Sequence, residues 1–474
     1  MSLTDLPVVI QGGMGVAVSS WRLAKAVSKE GQLGVVSGTA LDVVIARRLQ
    51  DGDAGGDIRR ALAHFPDTAM AARILDRYFY DGGRAPGQPY RPVPKLTLNQ
   101  NAAVQELAVV SNFVEVWLAK EGHPGVVGIN FLEKIQMATP CAALGAMLAG
   151  VDYVLMGAGV PRQIPQLLTD LAAGRTGGVD VDVIGAEKPH RVEVDPARLL
   201  AVSPTPAMRR PQFLAIISAA VLATYLARDE TTRPDGFIIE GPIAGGHNAP
   251  PRGRMVLDED DEPVYGPRDD VDLTAIAAIG IPFWLAGAYG SPGRVAEARA
   301  AGAAGVQVGT LFALSEESGI DDEVRDEMRE QLAAGTLAVR TEAHASPTGF
   351  PFKVAQVEGS LADQEVYDAR PRQCDLSYLR TPYLAENGDV GYRCASEPVH
   401  MYVRKGGAIE DTIGRKCLCN GLTANVGLGQ VRRDGYVEPP LVTLGSNLEG
   451  VLTLAELYPA GWHAADVVDW LLDT

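Results

Sequence analysis

Three groups of residues in this 474-residue sequence could carry chemistry. The first is His247, which follows two glycines in Ala244-Gly245-Gly246-His247. Imidazole titrates near neutrality, so it can take up or return a proton under working conditions. The glycines leave room beside it for a small substrate. A structural histidine hydrogen-bonded at a strand end would read the same way. The second group is a pair of glycine turns. Gly287-Ala288-Tyr289-Gly290 runs into Ser291-Pro292, a cap residue followed by proline at the first helical position, and Gly309-Thr310 ends another β-branched run. Exposed backbone N–H groups and a threonine hydroxyl suit a phosphate, although ordinary strand-to-helix turns also use glycine. The third group is sulfur. Cys374, Cys394, Cys417 and Cys419 lie close together in the tail, with His400 among them. Structural zinc sites favour Cys-x2–4-Cys pairs, and only one Cys-x-Cys is present, so buried reduced thiols and no metal are expected. Cys141, after Thr139-Pro140 at a helix start, reads as a packed thiol rather than an activated one.

Eight short β-branched runs position these residues. They are Pro7–Ile10, Leu33–Val36, Val126–Asn130, Tyr153–Met156, Leu214–Ser218, Gly236–Glu240, Phe283–Gly287 and Val306–Gly309. Runs apolar on both faces, joined by helix-length connections, call for a parallel sheet. Eight of them favour an α/β fold of the (β/α)8 TIM-barrel type, with an open doubly wound sheet as the other arrangement. Ser19 reads as the cap of a helix whose stripe is Trp21, Leu23, Ala24 and Val27. The barrel is expected over residues 1–340. It carries an insertion at about 42–120 and hairpin excursions at about 179–210 and 248–271, the last with an acidic, solvated turn at Asp258–Glu262. Residues 341–474 form a C-terminal mixed α/β extension packed on the barrel.

Composition narrows the partners. Hydrophobic residues make up 46% and charged residues 21%, which excludes disorder as the main state. A net charge of −17 without a dense basic tract argues against nucleic acid or an anionic membrane as a partner. No uninterrupted apolar stretch approaches a membrane span. Met1–Asp5 lacks the start of a signal peptide, and five cysteines fit a reducing cytoplasm. A homo-oligomer is left open. Fifty-two glycines suggest close backbone approach to a ligand.

The glycine motifs resemble those of the nitronate monooxygenase (2-nitropropane dioxygenase) family of flavin-mononucleotide barrels. The residues that carry the resemblance are Pro7-Val8-Val9-Ile10-Gln11-Gly12-Gly13-Met14-Gly15, Gly34-Val35-Val36-Ser37-Gly38-Thr39, Ala244-Gly245-Gly246-His247, Ala286-Gly287-Ala288-Tyr289-Gly290 and Gly305-Val306-Gln307-Val308-Gly309-Thr310, with the later loop Ser346-Pro347-Thr348-Gly349. It implies non-covalent flavin mononucleotide (FMN) at the barrel mouth. Gly13 and Met14 would lie against the ring, Asn130 and Ser218 would contact its polar atoms, and Gly246 would sit close by. Gly287, Gly290, Gly309 and Thr310 would hold the phosphate. Gln307 would either reach the flavin or fill the barrel. The resemblance also implies His247 as catalytic base, with a small-molecule nitronate and O2 giving a carbonyl compound and nitrite. Glu240-Gly241-Pro242-Ile243 departs from the family's usual Glu-Ala-Gly-Gly-His, because Pro242 fixes φ and removes a donor. The other readings are a flavin-dependent enoyl-thioester (enoyl-ACP-type) reductase using NAD(P)H, a quinone reductase, and a non-catalytic flavin-binding synthase component.

Overall fold

The structure, a computed structural model, describes residues 6–473; Met1–Asp5, which the expectation about the N-terminus concerns, lie outside it. Its centre is the barrel. Strands β1 (Val9–Gln11), β2 (Gly34–Ser37), β3 (Val127–Leu132), β4 (Tyr153–Gly157), β5 (Gln212–Ile217), β6 (Gly236–Glu240), β7 (Phe283–Ala286) and β8 (Gly305–Val308) coincide with the eight predicted runs. From β2 to β8 each strand pairs in parallel with the next, and β8 pairs with β1. An open sheet would leave β1 and β2 apart. Here Leu33 closes the ring, its N–H donating to Val9 O (3.1 Å) and its O accepting from Gln11 N (2.9 Å).

That seam is a single bridge, Ile10 to Leu33. The fully buried Gln11 side chain extends it. Its Oε1 accepts from Val35 N (3.0 Å), and its Nε2 donates to Ser19 Oγ (2.8 Å). Ser19 is therefore not the helix cap expected from sequence. The cap of Trp21–Lys29 is Ser20, because the Ser19 hydroxyl already donates to Gly12 O and accepts from Met14 N, both at 2.8 Å. It pins the Gly12–Met14 turn at the barrel mouth.

Inward positions recur every second residue along the strands, as the pleat requires. Ile10, Leu33, Val35, Tyr153, Leu155, Leu214, Ile216, Ile238, Trp284 and Ala286 form one apolar interior cluster. A separate, larger core fills the space between strands and helices. Within 42–120, helix Ala102–Lys120 packs on Trp21–Lys29 and Thr139–Leu148, so it serves as the barrel helix that leads into β3. It is long and apolar enough to cross a membrane, but 72% of its apolar window is buried inside the protein, as in a core helix. The first excursion is the antiparallel hairpin Gly177–Val181 with His190–Val194. In the second, the Asp258 carboxylate accepts from Asp260 N and Glu262 N at 2.9 Å, making the acidic run a turn.

The tail opens with the hairpin Val339–Glu342 and Phe352–Ala355, which straddles the expected boundary at 340. A second hairpin pairs Thr381–Leu384 with Val390–Arg393, and helices Leu418–Ala424, Glu449–Leu457 and Ala464–Leu472 follow. The tail is anchored to the barrel by Trp462, whose Nε1 donates to Leu311 O (2.8 Å), and to residues of the insertion by Gln430, whose Oε1 accepts from Tyr90 N (2.9 Å).

If Ser19 secures the seam, Ser19→Ala leaves buried partners of its hydroxyl unsatisfied and should cost about 1–3 kcal/mol of stability. Denaturant unfolding with unchanged slope checks this.

Candidate functional site

A cavity of about 250 Å³ lies at the C-terminal ends of the strands, the face on which such barrels carry their sites. Strand ends and the loops after them supply Gly13, Met14, Asn130, Glu240, Gly246, His247, Gly287, Gly290, Gln307, Gly309 and Thr310. The fold thus gathers all but one of the residues that the sequence analysis assigned to a flavin or to proton transfer. The exception is Ser218. β5 ends at Ile217 with Ile216 facing the cavity, and the chain then turns away, so the Ser218 carbonyl accepts from Arg252 Nη2 (2.7 Å) instead. Ser218 is corrected to a loop residue outside the cavity lining.

One wall is backbone by necessity. A Cβ on Gly13 would lie 2.3 Å from Asn130 Cβ, so only glycine lets this turn rest on the end of β3. Asn130 Nδ2 donates to Gly13 O (3.0 Å) and holds it there. Asn130 Oδ1 and Gln307 Oε1 are buried and have no hydrogen-bond partner. Two orphaned acceptors beside one cavity call for a ligand with donors.

The turns after β7 and β8 offer donors that suit an anion. Ser291 caps the helix Pro292–Ala300 with proline in its first turn, as the sequence predicts. Among the described residues, the N–H groups of Ala288, Tyr289, Gly290, Gly309 and Thr310 donate to nothing. Gly287 has φ +86°, a left-handed conformation that brings this turn against Gly241 and Ala244. Thr310 Oγ1 accepts from Gly445 N (3.0 Å), which leaves its proton free to donate. Free backbone donors and orphaned acceptors around one cavity match a flavin nucleotide, with its phosphate and its ring N–H.

His247 sits beside this cavity. Its Nε2 is 2.8 Å from Ser346 Oγ, which in turn meets Thr348 Oγ1 at 2.7 Å. The ring stands edge-on to Phe352, centroids 4.9 Å apart, and Lys353 N donates to Gly246 O (2.9 Å) across the same bridge. Nδ1 has no hydrogen-bond partner among the described residues. Burial, helped by the nearby Lys134 ammonium, lowers the imidazole to about 3, so it is neutral at physiological pH. Lys134 is itself lowered to about 8 by burial; it donates to Ala158 O (2.8 Å) and lies over the Phe350 ring.

Two contributions were missed from sequence. Glu240, at the inward end of β6, opens onto the cavity far from bulk water, and burial raises its carboxyl to about 7. An acid ending the apolar run Phe237-Ile238-Ile239 was the available signal. The tail supplies a roof of Thr443, Leu444, Gly445, Asn447, Gly450 and Val451, for which the sequence held no comparable sign. Thr443 Oγ1 accepts from Gly246 N (2.9 Å), and Ser446 N donates to Ile243 O (3.1 Å).

All five cysteines are free. Cys374, Cys394, Cys417 and Cys419 line a second, small cavity, and burial pushes Cys394 and Cys417 up to about 12. Among the described residues no group of three or more His, Cys, Asp or Glu could hold a metal ion. Cys141 is buried and likewise raised to about 12, so its helix N-terminus does not activate it.

Fold and site define an α/β barrel with a cavity at the C-terminal ends of its strands, roofed by the tail. In comparison with known proteins, residues 186–346, about a third of the chain, match the model of nitronate monooxygenase, a family of flavin-dependent oxidoreductases. The chain is also similar to (3aS,4S,5R,7aS)-5-hydroxy-7a-methyl-1-oxo-octahydro-1H-indene-4-carboxyl-CoA dehydrogenases. With that of Rhodococcus jostii it is 25% identical over 189 residues, 38% of this chain and 48% of the relative. With that of Mycobacterium tuberculosis it is 26% identical over 231 residues, 45% of this chain and 60% of the relative. The matches thus span about half the length of these curated relatives. Among solved structures, nitroalkane oxidase from Streptomyces ansochromogenes aligns over 100% of this chain and 97% of its own at 15% identity and TM-score 0.48. FabK from Thermotoga maritima aligns over 99% and 93% at 15% identity and TM-score 0.47.

The two displaced groups pull stability in opposite directions. His247, at about 3 folded against 6.5 unfolded, makes stability fall as pH drops through that interval. Glu240, at about 7 against 4.5, makes it fall as pH rises. Between pH 4.5 and 6.5 the two oppose each other. Relative to wild type, Glu240→Gln should therefore lose up to about 1.4 kcal/mol per pH unit on acidification through that window, and His247→Asn should gain a similar amount. Denaturant melts across this pH range measure both slopes.

Proposed function

We propose that this protein is an FMN-dependent oxidoreductase of nitronate monooxygenase type that turns two alkyl nitronates and one O2 into two carbonyl compounds and two nitrites, with His247 as base. The observation that carries the reading is an uncharged histidine with an unpartnered Nδ1, on a cavity into which the turns after β7 and β8 bare phosphate-type donors. Bound flavin would supply the electron transfer to and from substrate and O2. Gly13, Met14, Asn130, Gly246 and Gln307 would hold its ring; Gly287, Gly290, Gly309 and Thr310 would hold its phosphate.

The chain's own task is proton control and exclusion of water. His247 Nε2 is engaged by Ser346, which fixes the ring and leaves Nδ1 to take a proton from, or hold one near, the substrate carbon. Phe352 against the ring and the tail's roof keep the cavity dry, which strengthens each polar contact inside it. The substrate is a small molecule, and the reading places the protein in the cytoplasm, to which five free thiols are suited.

A second reading is oxidation or reduction of an acyl thioester. Two observations favour it: the curated relatives are named for a carboxyl-CoA substrate, and the tail adds an apolar wall of Leu379, Leu418, Leu422 and Val451.

Anaerobic mixing of the flavin-loaded protein with ethyl nitronate, NADPH or an acyl-CoA separates the readings. Bleaching by nitronate supports the first; bleaching by NADPH or by the thioester, with none by nitronate, moves the assignment to the second. His247→Asn should retain flavin and lower kcat/KM about 10²–10⁴-fold. The pH profile should show no loss near 6.5, because the imidazole stays neutral down to about 3.

A further inference from the structure

The barrel interior is apolar up to its last layer. There Asn130 on β3, Glu240 on β6 and Gln307 on β8 face the cavity where further aliphatic residues would otherwise continue the packing. Each has unsatisfied polar capacity. Asn130 Oδ1 and Gln307 Oε1 are the orphaned acceptors, and the Glu240 carboxyl makes no hydrogen bond or ion pair with any described residue. On β7 Ala286 is in register with Glu240, and β5 ends at Ile217, one residue short of the position that would pair with it, so neither strand places a charged group beside it. The other titratable groups lining the cavity are His247, Tyr289, Tyr378 and Cys419. None is cationic, and the Lys134 ammonium nearby acts on His247, not on Glu240.

We propose that Glu240 is a cofactor-binding residue that enters the loaded site as a neutral carboxylic acid and donates its proton to an acceptor on the bound flavin. The proposal rests on the flavin reading above. Before loading, the cavity is large enough to admit a few waters beside the carboxylate even though bulk water is kept out, but a bound ligand removes them and leaves no cation in their place. An ionised, unpaired carboxylate there would be strongly unfavourable, so filling the cavity drives the group to its neutral form. The neutral acid then carries an O–H that needs an acceptor, which ring carbonyls and unprotonated ring nitrogens provide. The free group is already poised for this, since burial alone raises it to about 7.

Loading should therefore take up a proton wherever the empty site is ionised. The test is calorimetric titration of apoprotein with FMN near pH 8.5, in buffers of differing ionisation heat. Wild type should take up close to one proton more per FMN than Glu240→Gln, and the two should converge near pH 5.5. Glu240→Gln, which keeps a donor, should bind FMN within about threefold of wild type at neutral pH. On wild type alone, Kd should weaken about tenfold per pH unit above pH 7.5. Equal proton uptake by wild type and Glu240→Gln, or a wild-type Kd flat with pH, would overturn the proposal while leaving the flavin reading intact. Failure of wild type to bind FMN at any pH would overturn the flavin reading and this proposal together.

Discussion

Everything at the cavity depends on closure of the barrel between β1 and β2. Seven of the eight strand junctions are regular parallel ladders; this one is a single bridge through Leu33. The buried Gln11 amide compensates. It reaches Val35 on the far side of the seam and Ser19 on the near side, and Ser19 holds the turn of Gly12 to Met14. A hydrogen-bonded amide in a dry interior is costly to leave half-satisfied, so the same bonds that close the ring also fix where the cavity-facing glycines lie.

Closure makes the top layer of the barrel the floor of the cavity. Below it the inward residues are aliphatic or aromatic and satisfy one another by packing, with Trp284 donating its Nε1 to Pro7 O (2.8 Å). Above it the layer turns polar, and its acceptors find no partner among the described residues. That change from satisfied to unsatisfied marks the boundary between scaffold and site. The left-handed Ala288 (φ 63°) tells the same story for the phosphate end, because a non-glycine residue is held there only where its surroundings over-determine it.

The tail is part of this site. Its first hairpin carries Phe352 against His247, its Ser346–Thr348 loop orients the imidazole, and Gly445 engages Thr310. Gly450 packs so closely on the Gly290 carbonyl that a Cβ would come within 2.1 Å of it. A minimal barrel would leave the cavity open to water. Here the roof lowers the local dielectric, which is why one histidine, one lysine and one glutamate all move toward their neutral forms together.

The sequence by itself determined the barrel. Eight two-faced apolar runs at helix-length spacing allow few packings, and their glycine endings showed which end of the barrel binds. It also singled out His247 and the glycine turns after β7 and β8, because glycine before a polar residue is a local signal. What it could not determine was anything that depends on which residues meet across long separations. Ser19 read as a cap because its competing partners, Gly12 and Met14, are recognisable only once the seam is closed. Ser218 read as a ligand because one residue of strand length decides whether a side chain faces the cavity or the loop beyond it. Glu240 read as a strand end, and only the closed ring shows that no cation faces it. The tertiary structure decided protonation, roof and polarity, since these follow from the exclusion of water, which no short stretch of sequence encodes.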